Sequence, residues 1–146
     1  MATRSTIALE YADGTVDQIY CHWDGYLSNN GEMLLDHWQD PFKVQKMMQL
    51  GDLSVLGTDI GDQHSFADAA DYKECTFYGR DRGEKGVSAK RFKDFEDYRA
   101  NHQYEEFEYI LRNDGHWYVA SYGDQYVALE DAIADEQYQR HMAEEE

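Results

Sequence analysis

Two short stretches hold residue types that could do chemistry. In His22-Trp23-Asp24-Gly25-Tyr26 an imidazole and a carboxylate stand two residues apart beside aromatic rings. If extended backbone continues through Asp24, both project from one face, an arrangement suited to general acid–base work or to a small ligand. The competing reading has Trp23 and Tyr26 anchoring the core while Asp24-Gly25 makes a turn. In Arg80-Asp81-Arg82-Gly83-Glu84-Lys85-Gly86 three cations sit on a glycine-bearing loop able to hold a phosphate or a carboxylate. The GxxxxGK(S/T) spacing of a phosphate-binding loop is missing, so the plainer reading is an exposed, salt-linked loop. Arg4 joins this candidate ligand site, because in a hairpin the start of the first strand lies beside the end of the second.

Elsewhere the reactive residue types are scattered. His22, His37, His64, His102, His116 and His141 show no HExxH or His-x-His spacing, so no metal site is expected. Cys21 and Cys75 are far apart and lack CxxC spacing, which signals neither zinc nor a disulfide framework and fits a reducing compartment. No GxSxG nucleophile elbow occurs. No motif establishes catalysis, and no cofactor is expected.

Charge is the stronger signal. Thirteen Lys and Arg face thirty Asp and Glu in 146 residues, a net charge of −17. Such a chain repels nucleic acid and anionic membrane, so direct binding to either is excluded and a basic partner is the complement. The excess is uneven: residues 104–146 hold two basic and twelve acidic residues, against three and eight in 1–56 and eight and ten in 57–103. Glu105, Glu106 and Glu108 fall on an expected strand, and Glu130, Asp131, Asp135 and Glu136 on an expected final helix, with Glu144–Glu146 as its tail. These seven named strand and helix residues are the candidate partner-binding surface. The bland alternative is a solvated face that only aids solubility.

Positioning these residues requires a core, and 42% hydrophobic with 14% aromatic residues supplies one in a chain of about one domain's length. Residues 1–146 are read as a single domain. Thr6–Tyr11 and Val16–Trp23 alternate around Ala12-Asp13-Gly14-Thr15, and Tyr104–Leu111 and His116–Tyr122 flank Asn113-Asp114-Gly115, giving two hairpins. In the first of these, Tyr20 and His22 share the face opposite Ile19, Cys21 and Trp23. Helices are expected at Glu32–Trp38, at Pro41–Leu50 with Asp40 as cap and Gly51 as stop, at Ala89–Ala100 and at Leu129–Met142. Cys75–Tyr78 reads as a strand, 79–86 as a loop and 58–70 as an excursion. The sum is an α+β fold, an antiparallel sheet containing two hairpins packed with several helices. Neither an apolar leader nor a membrane span is evident, so a cytoplasmic location is expected.

The segments Thr3-Arg4-Ser5-Thr6-Ile7, Tyr20-Cys21-His22-Trp23-Asp24-Gly25-Tyr26, Leu50-Gly51-Asp52-Leu53-Ser54 and Gly79-Arg80-Asp81-Arg82-Gly83-Glu84 together resemble a family of small phage and prophage proteins. The resemblance covers roughly the first 85 residues, implies a phage setting, and brings no catalytic residue with it. Small acidic proteins in that setting look like inhibitors of host restriction or CRISPR machinery, an analogy of context and charge. The expected function is therefore an anti-defence inhibitor that binds a basic, nucleic-acid-handling host protein by nucleic-acid mimicry. The alternative is a small-ligand-binding protein or enzyme using Arg4, His22, Asp24, Tyr26, Arg80, Arg82 and Lys85.

Overall fold

The computed structural model describes residues 2–66, 73–123 and 125–144. Both expected hairpins form, β1 (Ser5–Glu10) with β2 (Val16–Cys21), and β6 (Phe107–Leu111) with β7 (Trp117–Ser121). Their turns use one device twice. Asp13 Oδ1 accepts the Thr15 amide at 3.0 Å and Asp114 Oδ1 accepts the His116 amide at 2.9 Å, while Gly14 and Gly115 take the positive φ of 91° and 85° that the reversal requires.

Between the hairpins lie a π-helical turn (Leu27–Gly31), α1 (Glu32–His37), α2 (Pro41–Leu50), β3 (Leu53–Val55), β4 (Thr76–Phe77), α3 (Tyr78–Arg82), β5 (Lys90–Phe92) and α4 (Phe95–Asn101). After the second hairpin come β8 (Val127–Ala128) and α5 (Leu129–Glu144). α2 begins and ends as its sequence dictates: Asp40 Oδ1 accepts the Phe42 amide at 3.0 Å, and Gly51 closes it at φ 86°. A Cβ at Gly51 would lie 2.2 Å from the Val87 carbonyl oxygen, so only glycine fits there.

The fold is α+β, with one mixed sheet in the order β4-β3-β2-β1-β6-β7-β8 and β5 added to β2. Most pairings are antiparallel, but β1 meets β6 and β2 meets β3 in parallel. The β1–β6 join places the two hairpins side by side and makes β1 central, which is why all six of its residues are buried. Ile7, Leu9, Ile19, Tyr109, Leu111, Trp117 and Val119 pack against Leu34, Trp38, Val44, Met47, Met48, Leu129 and Ile133 from α1, α2, α5 and the α1–α2 junction. The opposite face buries Ala8, Val16 and Ile110 under Phe92 and Tyr98.

Two expectations of local structure change. Residues 89–100 are not one helix, because Lys90–Phe92 pairs antiparallel with Val16–Gln18 and Asp94 starts a new helix, its Oδ1 accepting the Asp97 amide at 2.8 Å. The 79–86 loop opens as helix α3, ended by Gly83 at φ 73°. Residues 58–66 run irregularly as expected, tied by an Asp59–Glu74 bridge, while 67–70 of that excursion and the acidic tail at 145–146 lie outside the described residues.

Candidate functional site

The expected ligand residues do not form one site. The Tyr20 hydroxyl and His22 Nδ1 are 2.7 Å apart on the face alternation assigned them, and the His22 ring meets Trp23 edge-on at 4.8 Å. Burial pushes the Tyr20 hydroxyl up to about 12, with Arg4 pulling down and Glu105 and Tyr78 adding to the rise. Arg4 and His22 thus both neighbour Tyr20. Asp24 departs, because β2 ends at Cys21 and Asp24 turns at φ 58°, breaking the alternation that would have aligned it with His22. The rings do not anchor the core either, for Trp23 is 43% and Tyr26 40% exposed.

Arg80 is consumed by the fold. Its guanidinium donates to both Asp81 oxygens and to the carbonyls of Ile60, Gly61 and Cys75 at 2.8–3.2 Å, and it lies over the Phe77 ring. Burial drives the Asp81 carboxyl up, but hydrogen bonds from Arg80 and from the Phe77 and His64 amides outweigh it and hold the group below the usual carboxylate range. Arg82 stacks on Phe66 and Tyr78 and donates to Glu84 at 2.7 Å, while Lys85 stays exposed. An apolar groove of about 310 Å³ opens between the hairpin turns and the start of α2, lined by Leu9, Tyr11, Pro41, Phe42 and Leu111, and holds none of the candidate ligand residues. No group of three or more potential metal ligands occurs among the described residues.

The expected acidic surface also divides. Glu108 is on β6 but only 2% exposed, so it is not part of any surface. Its Oε1 lies 2.5 Å from His102 Nε2 and accepts the Tyr126 hydroxyl at 2.8 Å, and Tyr126 is 3.0 Å from the Tyr98 hydroxyl. His102 Nδ1 faces the Tyr98 carbonyl at 2.6 Å, so both ring nitrogens face acceptors and the imidazolium form satisfies both. Burial opposes that charge, but the Glu108 hydrogen bond, its negative charge and the Tyr98 carbonyl raise His102 above its ordinary value. Glu105 and Glu106 precede β6 and are half-buried, with Glu105 near Tyr20. Sequence spacing gave no sign of the His102–Glu108 pair, although a charged residue on an otherwise buried strand is itself a warning that a partner is needed.

Four candidates remain together on α5. Leu129 and Ile133 face the core, leaving Glu130, Asp131 and Asp135 exposed and Glu136 half-exposed with Arg140 at 3.0 Å. α1 adjoins through Gln137, whose amide donates to Glu32 at 3.0 Å, and adds Glu32 and Asp36. Among the described residues none of Glu32, Asp36, Glu130, Asp131 and Asp135 forms an ion pair, whereas Arg80, Arg82, Arg91, Arg112 and Lys43 each hold a carboxylate. Among the described residues no helix is long and apolar enough to cross a membrane. No family model, curated protein or solved structure matches the chain, so the site stands on its own geometry.

Proposed function

We propose that the chain is a binding protein, an anti-defence inhibitor of phage type whose α1–α5 surface occupies the basic groove of a nucleic-acid-handling host protein such as a restriction or CRISPR component. The supporting observation is the unanswered negative charge of Glu32, Asp36, Glu130, Asp131 and Asp135 in a molecule that neutralises four of its arginines away from that surface, where Arg140 meets only Glu136. Asp131 and Asp135 are one turn apart on a helix, about 6 Å along its axis, so their carboxylates repeat on one face. Attraction of this kind raises association rates by ~10 to 10³ fold at low salt and fades as the Debye length shortens.

The test is capture from bacterial lysate by the wild-type chain and by the triple variant Glu130→Lys, Asp131→Lys, Asp135→Lys, at low and at high salt, with mass spectrometric identification. A basic nucleic-acid enzyme held only at low salt and lost by the variant is the expected result. Retention by the variant, or indifference to salt, overturns the reading. A second reading, a small-ligand site at Arg4, Tyr20 and His22, draws on the 2.7 Å Tyr20–His22 contact beside exposed Trp23; loss of function in His22→Ala with the fold intact would favour it.

A further inference from the structure

Helix α5 outruns the body it packs on. Its buried residues are Leu129 and Ile133, both in the first five positions, and every residue from Gln137 to Glu144 is exposed. The packed first turns supply the nucleus, and among the described residues the later turns bury no side chain, held instead by the Gln137–Glu32 hydrogen bond, the Glu136–Arg140 pair and helix propagation. Side chains on that extension are not there to hold the core.

Their arrangement is ordered nonetheless. Positions 131, 135, 138 and 142 follow the i, i+4, i+7, i+11 spacing of a single helix face. That face is turned away from Leu129 and Ile133, and all four side chains are exposed: Asp131, Asp135, then Tyr138 at 59% and Met142 at 44%. Tyr and Met are costly to leave in water and are the types enriched where one protein docks on another. The strip therefore carries two carboxylates at its packed end and two large apolar groups at its free end.

We infer that the outward face of α5 is a helix-in-groove ligand, with Tyr138 and Met142 entering an apolar slot on the partner and Asp131 and Asp135 meeting cations at one end of that slot. This deepens the inhibitor reading and rests on it, adding a contact that charge alone does not supply. The occupant is a groove with a basic margin. A second copy of this chain is disfavoured by charge, because its own α5 face carries carboxylates and no cation at these four positions, and like charges would be brought together as the faces close. Docking of this kind reads an amphipathic helix at i, i+4 and i+7 anchors.

The test places a photo-crosslinking amino acid at Tyr138 in the full chain, irradiates it in bacterial lysate at low salt, and sequences the joined peptide. A peptide of apolar residues flanked by Lys or Arg, from a nucleic-acid-handling protein, is expected. In parallel, Tyr138→Ala with Met142→Ala is measured against the protein so identified, with circular dichroism confirming the fold; a loss of about tenfold or more in affinity is expected. Joining to a second copy of the chain, joining to a peptide without cations, or no joining overturns the inference. If the triple lysine variant loses the partner while the Tyr138/Met142 double variant binds as wild type, the charge reading stands and the groove fails. If the double variant loses the partner and the lysine variant keeps it, the mimicry fails and the groove proposal falls with its acidic half.

Discussion

The Tyr78–Gly86 segment and helix α5 are both dense in charge, and the fold uses them in opposite ways. In the first, Asp81 has a side chain with no exposure and receives Arg80, two backbone amides and the edge of His64 at 3.6 Å, so this pair is turned inward to order the loop while Arg82, Glu84 and Lys85 stay exposed. In α5 the carboxylates sit over two buried aliphatic residues and face solvent. The lesson is that charge density in a sequence does not mark a binding surface; what marks one is charge that the molecule itself leaves unanswered. A −17 chain that ties most of its arginines to carboxylates concentrates its net charge where cations are missing.

The largest expected effect breaks the inward side of this contrast. Asp81→Ala strips Arg80 of its buried counter-charge and leaves the Phe77 and His64 amides without an acceptor, so urea unfolding should lose about 3–5 kcal/mol. A midpoint within error of wild type would mean that the node does not order the loop. Because the Asp81 carboxyl is held below its ordinary value, its contribution is present above the unfolded carboxylate range near 3.9 and disappears as pH falls through the lower folded value.

The buried His102–Glu108 pair gives the opposite pH sign. Glu108→Gln should cost about 1.5–3 kcal/mol, since it removes a charge-assisted bond from a site where His102 and Tyr126 both require the acceptor. His102 is raised, so its stabilisation is complete below the unfolded value near 6.5 and is lost as pH rises through the folded value. Denaturant titrations across that window should slope downward in wild type and flatten in His102→Gln; equal slopes would refute a charged imidazolium.

Smaller effects sharpen the comparison. Removing the cap with Asp40→Ala should cost about 1 kcal/mol in the unfolding midpoint, because the Phe42 amide loses its acceptor. On α5, each of Glu130→Lys, Asp131→Lys and Asp135→Lys should shift stability by no more than about 0.5 kcal/mol in either direction. A destabilisation of 2 kcal/mol or more at any of the three, by the same unfolding measurement, would assign that carboxylate to the fold and withdraw it from the binding surface.

Much of the fold was legible where local chemistry decides it. The bounds of α2 follow from Asp40, Pro41 and Gly51, and the hairpins from Asp-Gly turns between alternating strands. Residues 89–100 misled because Phe92, Phe95 and Tyr98 have core spacing for a helix, yet Phe92 belongs to a strand and the other two to a helix. The acidic first turn of Glu96 and Asp97 after Asp94 was the available signal for the true start. Strands β3 and β8, two or three residues long, are too short to carry a period.

For the candidate site, the sequence alone determined the sign of the charge, its concentration in the last third, and the helix that carries four of the seven expected carboxylates. It also set Tyr20 and His22 on one strand face, because alternation is a property of the backbone. The tertiary structure alone decided that Glu108 is buried against His102, that Arg80 is spent on Asp81 and three carbonyls, and that α5 extends past its support. The reason is physical: turns, caps and alternation are settled by neighbours in the chain. Whether a charge meets water or a partner depends on residues brought near by packing, and the β1–β6 pairing that builds this interior joins strands about a hundred positions apart.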